Sequence, residues 1–170
     1  WGEAMTYDHP LWRQHNHEAG IQVLGELDQR IEEGEAKLSE REQAYIGTVR
    51  LLFEAGPPMV KRRDNYAAAM AELAAQYPDD QEAIVFESLA AMSVRGFDFE
   101  SEADVDPVAS RLEAVIGENP NHPGALHYLI HVCDTEKFAE RALPAAEKYM
   151  KIATSPHALH MGSHIFKHLD

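Results

Sequence analysis

Cysteine is almost missing from this chain: Cys133 is the one thiol in 170 residues. A single thiol excludes an internal disulfide and any multi-cysteine zinc or iron–sulfur centre, and it leaves the redox compartment open. Positive charge is scarce as well. Fifteen Lys and Arg stand against twenty-nine Asp and Glu, a formal net charge of −14 at pH 7, and a surface of that sign repels phosphate backbones and anionic lipid headgroups. Neither nucleic acid nor a membrane surface is an expected partner. No apolar run approaches the ~20 residues needed to span a bilayer, and no Arg-rich or hydrophobic leader opens the chain. The expectation is a soluble protein; the opening WGEAM reads as helix interior, as in a fragment or processed form, so the compartment, cytoplasm or periplasm, stays open. Also lacking are a glycine-rich phosphate loop and a Gly-x-Ser-x-Gly nucleophile motif.

No Val/Ile/Thr/Tyr run alternates with period two, whereas apolar residues recur at three- and four-residue spacings throughout, so an all-α fold is predicted. With 45% apolar residues, the length suits one domain, 1–170, with a sizeable core. Punctuation divides it into short helices. Pro10 closes an opening segment, and a helix is expected from about Leu11 to Glu33. Ser39 with Glu42 forms a capping box, opening a helix that ends near Gly56-Pro57-Pro58. Further helices are expected over Arg63–Gln76, over Gln81–Val94 behind Asp79-Asp80, from Asp106-Pro107 to about Gly117, and over His122–Cys133 behind Asn119-Pro120-Asn121. Pro144 is expected to split 136–152 into a turn and a helix beginning at that proline. Ser155-Pro156 opens the last helix, to Leu169. Grouped, these give helix pairs at about 1–33, 39–77, 80–117 and 122–153, with the last helix at 156–169.

The chain also repeats itself. Pro123 to His131, PGALHYLIH, matches Pro156 to His164, PHALHMGSH, at Pro, Ala, Leu, His and His with a shift of 33 residues. Helix pairs joined by short Pro/Asn/Asp turns at such a period are a solenoid signature. The period, the prolines ending second helices and the small residues Ala90 and Ala91 resemble tetratricopeptide repeats. AAMAELAAQYPDDQEAIVFESLA, NPNHPGALHYLIHVCD and SPHALHMGSHIFKHL resemble a little-characterised bacterial family of tetratricopeptide-repeat proteins, over most of the chain. The resemblance implies a right-handed superhelical solenoid of antiparallel helix pairs, whose concave groove would take a peptide or protein partner. Trp1 starts without a cap, and Leu159, Ile165, Phe166 and Leu169 have no following helix to cover them. An exposed apolar end is therefore expected, either because the chain is cut from a longer array or because a second copy covers it as a homo-oligomer.

Ten histidines are the unusual count. At about 100° per residue, His127, His131 and Asp134 share one helix stripe, and so do His157, His160, His164 and His168. The repeat shift makes His127 equivalent to His160 and His131 equivalent to His164, and equivalent positions of a solenoid lie side by side. These four are the first-choice ligands for Zn²⁺, Cu²⁺, Ni²⁺ or Fe²⁺, because neutral imidazole presents a lone pair and two histidines four apart clamp an ion from one side. Glu87, placed by the repeat alignment at the position of His127 and His160, is a fifth. Glu3, His9, Asp134, His157 and Lys167 are further groove candidates.

Each feature also has a plain structural reading. Histidine pairs one turn apart are often hydrogen-bonding residues of a polar groove, and protonated they could hold peptide carboxylates with help from Arg95 or Lys167. His122 reads as a helix-start residue, and His15 and His17 as solvent-facing. Met70, Leu73, Ala74 and Tyr77 read as core, and Cys133 as a buried thiol. Tyr128 follows His127 and Met161 follows His160, so neither pair is the His-Glu-x-x-His of zinc peptidases. The leading expectation is a helical-repeat binding scaffold with a histidine-rich, metal-binding groove. Its rivals are a metal-dependent hydrolase, with Glu87 or Asp134 as base, and a metal-free interaction module.

Overall fold

A computed structural model describes residues 1–10 and 14–169. Among these the protein is helical: α1 (Gly2–Met5), α2 (His17–Glu32), α3 (Glu40–Leu52), α4 (Met59–Gln76), α5 (Gln81–Arg95), α6 (Glu102–Glu118), α7 (Pro123–Val132), α8 (Ala139–Ile152) and α9 (Pro156–Phe166). The exception is a two-stranded antiparallel pair, β1 (Asp8–His9) and β2 (Gln14–His15), with Asp8 opposite His15. The chain divides into two compact units, Trp1–Tyr77 and the remainder from Pro78. No helix among the described residues is long and apolar enough to cross a membrane.

In the first unit the expected helix from Leu11 gives way to the β pair and a later start; Leu11 itself lies outside the described residues. Asn16 caps α2, its Oδ1 accepting from the Ala19 N–H at 3.1 Å, while its own N–H donates to Tyr7 O at 2.8 Å. Extended chain is held there by buried Asp8, whose Oδ1 lies 3.1 Å from His15 Nδ1 and 3.0 Å from Arg63 Nη2. His15 therefore does not face solvent, and its ring stacks on Phe53 at 5.1 Å. Neither is His17 free in water, because Arg62 Nη1 donates to its Nδ1 at 2.8 Å.

The Ser39–Glu42 capping box opens α3 with both reciprocal bonds in place. The helix stops at Leu52, earlier than the Gly-Pro-Pro run, because Phe53 leaves helical geometry to be buried. Pro58 then starts α4 four residues ahead of the expected Arg63, a proline being compatible with a helix start. Tyr45, Ile46, Val49 and Leu52 of α3 and Tyr66, Met70 and Leu73 of α4 supply the buried side chains where these two helices pack.

In the second unit each helix from α5 to α9 packs on the next, and α7 also packs on α5 and α9. Met92, Leu112, Leu126, Ile130, Met161 and Ile165 form the centre of one continuous apolar core. Two prolines expected to begin helices lie inside them: Pro107 in α6, which starts at Glu102, and Pro144 in α8, which starts at Ala139. Each removes one backbone bond, and the carbonyls so released, those of Ala103 and Glu140, belong to exposed residues where water can take the bond. Burial along the opposite face holds each helix together: Ala139, Ala142, Ala145, Ala146 and Tyr149 are all buried in α8.

The apolar end expected at the last helix is only partly open. Leu159 is 54% exposed and Leu169 37%, but Ile165 is fully buried in the core. Cys133 is fully buried, and burial pushes its thiol up to about 12, so it packs as a small apolar residue.

Candidate metal centre

The centre is built on α7 and α9, each opened by a proline in its first turn and a capping residue. His122 caps α7, its Nδ1 accepting from the Ala125 N–H at 3.3 Å, as expected of a helix-start histidine. Ser155 Oγ does the same for α9, accepting from the Ala158 N–H at 3.2 Å. Leu126, Leu129 and Ile130 anchor one side of α7 in the core, which leaves His127 and His131 together on another. Ala158, Met161, Gly162 and Ile165 do the same for α9. A Cβ at Gly162 would fall 2.3 Å from Met150 Sδ, so the absence of a side chain lets α9 approach α8 closely.

Three imidazoles converge. The rings of His127 and His131 lie 4.9 Å apart between centroids, those of His127 and His157 5.0 Å, and the two Nε2 atoms of His127 and His157 are 3.2 Å apart. One ligand atom from each of His127, His131 and His157 lies within 4.8 Å of the others. Tyr149 of α8 stacks on the His127 ring at 5.2 Å and 10°, and Tyr128 lies 5.3 Å away. Burial first, then the neighbouring imidazoles His131, His157 and His164, push His127 down to about 3. Its ring is therefore neutral at physiological pH and keeps a lone pair. Burial pushes the Tyr128 phenol up to about 12 and raises that of Tyr149, so both walls are uncharged.

Phe97 presents its ring to His131 at 6.0 Å, edge to face. It does so from a left-handed backbone, φ 62°, directly after Gly96 at φ 70°. That conformation disfavours a bulky side chain, and here it occurs beside the centre.

His160 and His164 lie next to the triad, as a second group. Their Nε2 atoms are 3.0 Å apart, and the His164 ring is 6.2 Å from that of His131. His164 Nδ1 donates to Asp134 Oδ2 at 2.7 Å. The other Asp134 oxygen receives His168 Nε2 at 3.1 Å and Lys167 Nζ at 3.3 Å. Asp134, a groove candidate, thus binds a histidine and a lysine that were candidates with it.

Of the four first-choice ligands, His127 and His131 belong to the converging triad, while His157, whose position in the repeat has no duplicate, completes it. The shift of 33 residues aligns backbone positions; side-chain tilt and rotamer decide which ring tips meet. Glu87 is buried on α5 with its Oε2 3.0 Å from Arg111 Nε, and burial, opposed by the Arg111 charge, raises its carboxyl. It is outside the converging triad. Glu3, exposed on α1, and His9 of β1 belong to the first unit. Arg95 pairs with Asp104. Tyr149 and Phe97 had no recognisable signal, since a wall residue on another segment shares no spacing with the histidines it flanks.

No protein-family model matches this chain, and none of the curated proteins or solved structures matches it.

Proposed function

We propose that the protein is a binding scaffold of the tetratricopeptide-like kind whose second unit holds a divalent transition-metal ion on His127, His131 and His157. One observation carries this reading: three imidazole ligand atoms from two helices within 4.8 Å of one another. An all-nitrogen donor set suits Zn²⁺, Cu²⁺, Ni²⁺ or Fe²⁺ rather than Mg²⁺ or Ca²⁺, which take oxygen. Tyr149 and Phe97 flank the rings and restrict their rotation, so less ordering is needed on binding. The matched helices at a 33-residue shift, and the packing of α7 on both α5 and α9, support a superhelical solenoid. In that arrangement the histidines line a groove that receives a peptide or protein segment.

Three protein ligands leave a coordination position for water or for a side chain of the partner. A metal-bound water would also serve a hydrolase, the second reading, and the observation that favours it is a donor set of three residues, one short of a closed structural site. Untagged protein stripped by chelator and reloaded with Zn²⁺, Cu²⁺ or Ni²⁺ is expected to take up metal, and His131→Ala to lower uptake by one equivalent in elemental analysis. Equal uptake by the variant would place the metal elsewhere and remove the triad; no uptake by the parent would leave a metal-free interaction module.

A further inference from the structure

We propose that His160 and His164 form a metal clamp of their own, holding a second divalent transition-metal ion beside the first. This rests on the preceding reading for the first ion, but its donors are different atoms. The spacing supplies the first argument. Two metal–nitrogen bonds of about 2.0–2.1 Å meeting at an angle between square and tetrahedral place their nitrogens about 2.9–3.4 Å apart. His160 Nε2 and His164 Nε2 are 3.0 Å apart, and His127 Nε2 and His157 Nε2 are 3.2 Å apart. Both pairs have the separation of two donors on one ion.

Tautomer supplies the second argument. An ionised carboxylate only accepts, so the His164 Nδ1–H donates to Asp134, and in the neutral ring this tautomer carries its lone pair on Nε2, the atom facing His160. A carboxylate behind an imidazole is the outer-shell arrangement that orients a metal-bound histidine and increases its basicity. Asp134 is not itself a ligand here: one oxygen accepts from His164, the other from His168 and Lys167. Those contacts tie the carboxylate, from the segment after α7, to the last turn of α9 and beyond.

The third argument is rigidity. His160 and His164 stand one turn apart on a single helix whose other face, Met161 and Ile165, is fully buried, so their separation does not depend on a loop. His160 is exposed, which leaves the remaining coordination positions of this ion to water.

The probe is Zn²⁺ alone, titrated into untagged, chelator-stripped protein and followed by calorimetry with elemental analysis. Two equivalents per chain are expected, one after His160→Ala and one after His157→Ala. Asp134→Asn is expected to weaken only the equivalent lost in His160→Ala, by about 10–100-fold. Helical circular dichroism checks folding, and exposed His160 tolerates alanine in a helix. A single equivalent that survives His160→Ala but not His157→Ala overturns the clamp and leaves the triad. A single equivalent lost only on His160→Ala supports the clamp and removes the triad reading. One equivalent lost with either variant means a mixed site and overturns the clamp; no uptake overturns both.

Discussion

Histidines occur in both units, yet the two units use them differently. In the first, His15 and His17 are taken up by ion pairs and stacking: His15 by Asp8 and the Phe53 ring, His17 by Arg62. Guanidinium groups there compete with any cation, and Arg62 occupies the His17 Nδ1 lone pair. In the second unit imidazoles face one another, His127 and His157 meet at their Nε2 atoms, and the Asp134 carboxylate contacts His164 at Nδ1, the ring nitrogen away from His160. The lesson is that what faces a histidine's ring nitrogens, not histidine content, decides whether a lone pair is left for a metal ion.

The largest effect expected from this contrast is in metal affinity. His15→Ala with His17→Ala should leave Zn²⁺ uptake unchanged, whereas His127→Ala should weaken the triad ion by more than the ~10–100-fold typical of losing an outer-shell partner. Titrations of the two variants side by side check this, and a matched loss in both would erase the distinction between the units.

Next in size is a difference in packing tolerance. A Cβ at Gly20 would lie 2.0 Å from Phe53 Cε1, on a buried rigid ring stacked against His15; at Gly162 it would lie 2.3 Å from Met150 Sδ, on a flexible chain. Both substitutions overpack, at about 1–3 kcal/mol, and Gly20→Ala should cost more than Gly162→Ala. Both tryptophans, Trp1 and Trp12, belong to the first 77 residues. Tryptophan fluorescence during urea unfolding therefore reports on Gly20→Ala, and helical circular dichroism on both variants.

Smaller again, because the half-buried ring is partly screened by solvent, is a pH effect in metal-free protein. His127 titrates near 3 in the folded chain against an ordinary 6.5. The unfolded chain therefore takes up its proton first, and the stability present above 6.5 is lost as pH falls towards 3. Glu87 has the opposite sign. Its carboxyl is raised by burial from 4.5, so its contribution is complete below 4.5 and is lost as pH rises through the folded value. Thermal melts by circular dichroism between pH 7 and 3.5 should show His127→Gln losing less stability with acid than the parent; an unchanged slope would mean that the ring is already protonated when folded.

Much of the local structure was legible in the residues. Ser39 with Glu42 and Ser155-Pro156 mark helix starts through their own backbone chemistry, and the starts of α3 and α9 follow within a residue; α7 begins one residue after the expected His122, which is itself the cap in place of Asn119-Pro120-Asn121. Pro107 and Pro144 misled for the same reason: a proline signals a start only when nothing else compensates its missing N–H, and buried alanines on the far side of α8 compensate. The candidate site was legible as a stripe. His127 and His131 were identifiable from spacing, but the roles of His157 and Asp134 depended on which helix lay opposite.

The amino-acid order by itself determined the helical class, the isolated buried thiol, the acidic surface and the duplicated imidazole pairs, because caps, periodicity and charge act over a few residues. Tertiary structure alone decided that His157 meets His127, that Asp134 serves His164, and that Arg111 claims Glu87. Ring tips a few ångströms apart are brought there by residues thirty positions distant, through the packing of α9 on α7, and no local spacing contains that distance.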